Sequence, residues 1–198
     1  MARFAPFFST LTFGCCAVLA LGCCGMAGRV ARPALPPPPP EPPAQKIGYL
    51  SEMQEFDVRV GYGRFGKRGM LGFGLQFGEQ DHEITVGGNK YPHGLSMHPP
   101  SSGLSSVSYR LVPKSRTFHG WAALNDTFPG EPAVATACTF KILGDGKELW
   151  TSQPNKEAGK AEAFKVGVQG VDVLQLQVHC PGIQTCTRAV WLEPKVDP

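Results

Sequence analysis

"CTFKILGDGKELW", residues Cys138 to Trp150, carries the signature of a β-hairpin. Phe140 and Ile142 point one way, Asp145-Gly146 supplies a two-residue turn, and Leu149 and Trp150 follow on the returning strand. The same alternation recurs on either side of it. "VDVLQLQVHC" (171–180) sets Leu174, Leu176 and Val178 on one face, opposite Gln175 and Gln177. "SSVSYRL" (105–111) sets Val107, Tyr109 and Leu111 against Ser106, Ser108 and Arg110. "EITVGGNKY" (83–91) is a second hairpin around Gly87-Gly88-Asn89, and "SRTFHGWAAL" (115–124) and "AVWLEPKV" (189–196) add two more strands. Turn signals return about every ten residues, and no stretch beyond residue 46 keeps a helical apolar period. The spacing predicts an all-β sandwich of two sheets with a polar outer surface.

Composition agrees. Charged residues make up 18% of the 198, whereas Gly (24) and Pro (19) are plentiful, which suits a loop-rich β domain better than a helical bundle. The formal net charge of +3 is spread along the chain without a basic stripe, which argues against nucleic acid as a partner.

Residues 1–30 read as an export segment: Arg3 gives a positive start, and "FFSTLTFGCCAVLALGCCGMAG" is uncharged and apolar up to Arg29. Three fates are open to it. Cleavage after Ala27 would release a secreted protein. "ALGC", ending at Cys23, resembles a bacterial lipobox and would place a lipid there, although Ala20 and Leu21 depart from the preferred residues. An uncleaved segment would be long enough to span a bilayer. "ARPALPPPPPEPPAQK" (31–46) is a linker, since consecutive prolines favour a polyproline II spacer reaching roughly 3 Å per residue. It could also be read by a proline-recognition module, but outside the cytoplasm a stiff spacer is the simpler role. The domain proper is expected over 47–198, exported to the cell envelope and attached to a membrane through the N-terminus, or secreted.

Four of the seven cysteines lie in the export segment. Of Cys138, Cys180 and Cys186, the last two bracket the short "PGIQT" loop and are the preferred disulfide in an oxidising compartment. Three reduced, buried thiols are the other reading. No CxxC or HExxH spacing supports zinc, and scattered Asp and Glu permit a structural Ca²⁺ without indicating one.

Six segments in order, "YLSEM", "ITVGGNKYPHGLSMHPPS", "VSYRLVPKSRTFHGWAALND", "FKILGDGKELWTS", "VGVQGVDVLQLQVHC" and "RAVWLEPKV", are similar to the NPCBM family of carbohydrate-binding modules associated with family 98 and other glycoside hydrolases. The resemblance spans Tyr49 to Val196. It implies a jelly-roll β-sandwich of the galactose-binding-like kind with a non-catalytic, lectin-type role. A galactose-containing glycan or an envelope polysaccharide would be the partner, and the source would be bacterial. Where the family closes on a motif like His-Ala-Asp-Trp, this chain has Arg188-Ala189-Val190-Trp191. The acidic residue is replaced by Val190, while Arg188 can still donate a fork of hydrogen bonds.

A sugar site needs an apolar platform and a few planar polar groups. Trp121, with Asn125 and Asp126 just beyond it, has the right types, although a core Trp beside turn residues would look the same. Trp191 and Trp150 read more readily as packed aromatics. His93 and His98 are five apart, so an extended chain sends them to opposite faces. His98 is expected to be buried and bonded to backbone, and His93 to line a loop pocket. The candidate sugar-binding residues are therefore Trp121, Asn125, Asp126, His93, Arg188 and Trp191. Asp57, Glu83, Asp126 and Asp145 are scattered, no nucleophile or phosphate-loop motif appears, and "GYGRFGKRGMLGFG" reads as a flexible loop. The expected function is a non-catalytic carbohydrate-binding module displayed outside the cytoplasm. The alternative is an envelope interaction or structural sandwich whose sugar site has decayed at Val190, and a hydrolase of unrecognised type is the third reading.

Overall fold

Alternate side chains of the long strands point between two sheets, and the sets from the two sheets meet there. The structure, a computed structural model, describes residues 48–72 and 81–198. The export segment and the linker lie outside the described residues, and the described residues all belong to one compact unit.

Twelve strands are described: β1 Gly48–Tyr49, β2 Glu55–Arg59, β3 Thr85–Val86, β4 Asn89–Lys90, β5 Leu95–Ser96, β6 Gly103–Arg110, β7 Thr117–Leu124, β8 Thr139–Gly144, β9 Lys147–Thr151, β10 Ala161–Gly167, β11 Val173–Cys180 and β12 Ala189–Asp197. One sheet runs β1-β12-β7-β10, with β5 also on β12. The other runs β2-β6-β11-β8-β9, and β3 pairs with β4 alone. The hairpin read from residues 138–150 is β8–β9, with Asp145 (φ 49°) and Gly146 (φ 77°) both left-handed, as a tight turn of this twist demands. The Asp145 carboxylate also accepts the Val173 N–H at 2.9 Å, so the same residue that turns the hairpin secures the start of β11. The second hairpin, β3–β4, turns at Gly87-Gly88.

The two sheets pack through an aromatic group. Trp191 of β12 is fully buried and meets Phe140 of β8 at 5.3 Å, Phe164 of β10 at 5.5 Å and Trp150 of β9 at 6.4 Å, each in an edge arrangement. Trp191 therefore belongs to the core and takes no part in a sugar site; deleting a buried aromatic of this kind costs about 3–5 kcal/mol. Space for these rings comes from β7, the strand between β12 and β10: a Cβ on Gly120 would lie 2.9 Å from the tip of Phe164 and 2.8 Å from the Leu192 carbonyl.

The outer surface of the first sheet is not polar throughout. Leu71, Ile84, Val86, Ala123, Val190 and Leu192 make a second, smaller core there, flanked by Tyr91 and Phe128. Val190 is fully buried in it, so a valine at this position packs the covering layer onto the sheet. Leu71 of the glycine-rich stretch belongs to that layer and Phe65 packs against the main core, and here the expectation of a flexible loop is corrected. Gly66 pairs with Ser96 and Met70 with Glu83. A Cβ on Gly61 would sit 2.1 Å from the Pro100 nitrogen, and one on Gly66 would sit 2.1 Å from the Met70 carbonyl oxygen. The glycines permit close contact between chain segments. Three ladders change register, in β2 between Phe56 and Arg59 with Asp57 left-handed (φ 48°), in β8–β9 at Ile142/Leu143, and in β12 between Leu192 and Lys195.

The Cys180–Cys186 bridge is not formed, and Cys138, Cys180 and Cys186 are all free. Cys180 ends β11 pointing inward, where its thiol neighbours that of Cys138, while Cys186 sits half-buried on the following loop with a left-handed φ of 56°. Burial, reinforced by Cys180, pushes the Cys138 thiol up to about 12, and only a thiolate is a good nucleophile. Iodoacetamide labelling of the native chain, mapped by peptide mass spectrometry, should mark Cys186 and leave Cys138 and Cys180 unmodified until the domain is unfolded. Protection of both Cys180 and Cys186 that only a reductant relieves would restore the bridge.

Candidate functional site

Four connections meet at one end of the sandwich and enclose a recess of about 260 Å³. The stretch after β2 brings Tyr62, the β5–β6 connection His98, the β7–β8 connection Glu131, and the β11–β12 connection Gln184, Thr185, Cys186 and Arg188. Backbone bonds set these segments against one another. Gly61 N–H donates to the His98 carbonyl at 2.7 Å, Asn125 N–H to the Arg188 carbonyl at 2.9 Å, and Ala135 N–H to the Thr185 carbonyl at 3.3 Å. Without a side chain at Gly61 the chain can lie flat on Pro99 and Pro100, which is how Tyr62 reaches the recess. The volume is near the small end of ligand sites, roughly 300–1,000 Å³, and suits a single ring better than a long ligand.

The electrostatics centre on Arg188. Its guanidinium is 3% exposed and lies over the Phe128 ring, 4.2 Å from the centroid. Nη1 donates to Glu131 Oε2 at 2.8 Å and Nη2 to Oε1, a two-pronged pair whose carboxylate keeps a quarter of its surface. Phe128 N–H donates to the same carboxylate at 2.8 Å. The Arg188 hydrogen bond holds Glu131 below the usual carboxylate range, so it stays ionised and can accept hydroxyl hydrogens. Beside it, burial and then the Arg188 charge push His98 from 6.5 down to about 4, against the opposing pull of a bond to the Thr187 backbone. The Tyr62 ring meets His98 edge-on at 5.9 Å. A fixed cation, an ionised and partly exposed carboxylate and an aromatic face thus share one recess, which is the inventory that ring hydroxyls and a C–H face require.

The candidates named from the sequence separate. Arg188 lines the recess, and His98, expected only to be buried, is buried and lines it as well. Trp121 stands 42% exposed on the outer side of β7, without Asn125 and Asp126 as companions. The Asn125 side-chain oxygen accepts Thr85 N–H at 2.8 Å and its amide donates to the Asp126 carbonyl at 3.0 Å. Asp126 accepts Gly87 N–H and Gly88 N–H, both at 2.9 Å. This pair of residues fastens the β3–β4 hairpin through backbone N–H groups and lies outside the recess. His93 stacks on Tyr49 at 3.7 Å with the rings 1° from parallel, lies 3.6 Å from Glu52, and does not line the recess. Tyr62 and Glu131 were missed, because one lies in the glycine-rich stretch and the other in "TFPGEPA", where only the fold shows that the two loops converge.

Comparison with known proteins places the chain. The NPCBM/NEW2 domain family matches residues 46–197. A 99-residue stretch, 50% of the chain, is 27% identical to a protein of Renibacterium salmoninarum that carries the name endo-alpha-N-acetylgalactosaminidase, and spans 6% of that protein's length. The CBM51 module of Clostridium perfringens GH95, solved in complex with methyl-galactose, superposes with a TM-score of 0.57 at 18% identity, covering 75% of this chain and 98% of that one. The tandem CBM51 modules of the family 98 glycoside hydrolase of Streptococcus pneumoniae give a TM-score of 0.61 at 16% identity, over 75% and 46% of the two chains. These structures share the all-β sandwich.

His98 gives the site a pH signature. In the unfolded chain it takes up a proton as the pH falls through about 6.5, whereas in the folded chain it stays neutral down to about 4. Stability is therefore complete above 6.5 and declines towards 4, by roughly 3 kcal/mol in all. The lowered pKa of Glu131 adds its own loss as the pH falls from the ordinary carboxylate value of 4.5 towards the lower folded one. Urea unfolding should show the midpoint of the parent chain dropping between pH 6.5 and 4.5, with a flatter profile for His98→Gln; parallel profiles would remove His98 as the cause.

Proposed function

The chain belongs to the NPCBM/NEW2 family of carbohydrate-binding, non-catalytic modules, and from that premise we propose that it captures a hexopyranose in the recess between Tyr62 and Arg188. The observation that carries the reading is the Arg188–Glu131 pair. A guanidinium held flat by a carboxylate and an aromatic ring below it is pre-ordered, so little side-chain freedom is lost on binding. Glu131 Oε1 keeps one acceptor position for a hydroxyl hydrogen, the Gln184 amide donates, and the Tyr62 ring covers the C–H face of the sugar, while Arg188 holds the carboxylate in place. A galactoside is the first ligand to try, since a CBM51 module of similar fold was solved with methyl-galactose. Burial of Val190 in the second core supports this reading over a decayed site, because Val190 lies among Leu71, Ile84 and Leu192 and not in the recess.

The domain works outside the cytoplasm on its proline-rich spacer in this proposal, held by residues 1–30 or released after their cleavage. The support is the apolar N-terminal stretch and the run of prolines.

Isothermal titration of the full-length chain with methyl galactoside and a glycan panel should give saturable binding. Glu131→Gln and Tyr62→Ala should each weaken it at least tenfold, about 1.4 kcal/mol, with melting temperatures recorded beside them. Undiminished binding in both folded variants would move the site, and a folded chain that binds no glycan would end the sugar reading. Protease treatment of intact producing cells should remove the domain from a cell-bound form or find it in the medium. A chain protected until the cells are lysed would refute display.

A further inference from the structure

The outward side of β7 carries chemistry that the recess does not use. Trp121 lies in a shallow depression of about 450 Å³ on the open face of the first sheet, flanked by Ala163 and Lys165 of β10, His119 of its own strand and Asp197 of β12. Register explains the exposure. Trp121 is paired with Ala163 on one side, too small to cover an indole, and with Leu192 on the other, just where β12 changes register and turns aside. One step along the same face, Lys195, His119 and Lys165 form a row across β12, β7 and β10.

The charges in that row are not equivalent. Asp197 accepts from Lys195 at 2.9 Å and contacts His119 Nε2 at 2.8 Å. Its hydrogen bond to Lys195 comes first in holding its carboxyl below the ordinary range, and that same bond raises Lys195. This cluster is satisfied within itself. Lys165 is exposed and diagonal to Trp121, and among the described residues no carboxylate forms an ion pair with it. The depression therefore presents a flat aromatic ring with one uncompensated ammonium at the reach of a side chain, roughly 7–8 Å across the diagonal. That distance matches a pyranose whose ring stacks on the indole while a carboxylate on the ring meets the cation. A neutral sugar would leave Lys165 idle, and a nucleic acid would demand several cations in line where the row has one to spare.

We propose that the Trp121 face is a second carbohydrate subsite, selective for an acidic sugar such as a uronic-acid residue of a polysaccharide, with Trp121 as platform and Lys165 as the carboxylate partner. It rests on residues separate from the recess and stands or falls apart from it.

Tetragalacturonate and its fully methyl-esterified form, titrated into the full-length chain, test the idea by calorimetry and by tryptophan emission, in which Trp121 is the exposed indole beside half-buried Trp150 and buried Trp191. The acid form should bind saturably and shift the emission, the ester at least tenfold more weakly. Trp121→Ala should abolish the emission shift and the calorimetric component that follows it, Trp121→Phe should retain part of that component, Lys165→Gln should weaken it at least fivefold, and the emission shift should persist in Glu131→Gln. Equal binding of acid and ester, loss of the shift in Glu131→Gln, persistence of that component in a folded Trp121→Ala, or no saturable binding would each overturn the proposal. So would sedimentation showing that Trp121→Ala only dissolves a self-association of the chain, which would make the face a contact between copies.

Discussion

The interlock of Trp191 with Phe140, Phe164 and Trp150 is the constraint from which the rest of the domain follows. Side chains on a strand alternate, so fixing Trp191 inward fixes Val190 and Leu192 outward, and a slip of one residue would exchange the two sets. Through the ladder with β7, the same choice sends Ala122 inward opposite Trp191 and Trp121 outward opposite Leu192. Two tryptophans on adjacent strands thereby take opposite fates. One is sealed between the sheets, and the other is left in water.

The outward residues then divide by position along the strands. Towards the recess end they are Val190 and Ala123, small and apolar, and the covering layer fastened by Asn125 and Asp126 closes over them. Further along they are His119, Lys195 and Asp197, which stay in contact with solvent. The loop-end recess draws on the same chain segment, because Tyr62 precedes Leu71 in it and Gly61 lets it lie against the His98 segment. One segment thus serves both the outer-face packing, through Leu71, and the recess, through Tyr62.

What the sequence made legible was what alternation encodes. The hairpins at 83–91 and 138–150 and the strands β6, β7, β11 and β12 all follow from period-two patterns and turn residues. β10 was missed because "AEAFKVG" offers only one buried side chain, Phe164, and the alternation of Phe164 and Val166 about Lys165 is too short to stand out from alanines and a glutamate of low β preference. The site was less legible for a different reason. Asn125 and Asp126 are the residue types a sugar site uses, but a side chain's partner is a tertiary fact, and theirs proved to be backbone N–H groups of a hairpin some forty positions away. Arg188 was found because a motif marked it. Its partner Glu131 stands 57 residues distant with no local pattern to announce it.

The changes of register carry a consequence for how the molecule behaves in a crowd. An open sheet edge is a template onto which another chain can add a strand, and such growth ends in aggregates. Here β2 and β9 are the outermost strands of the second sheet, and the ladder of each is broken, by the left-handed Asp57 in one and the shift at Ile142/Leu143 in the other. A newcomer aligning with either edge meets hydrogen-bonding groups out of step after a few residues. The irregularities that spoil the ideal pattern thus make both edges of the second sheet poor templates for a further strand.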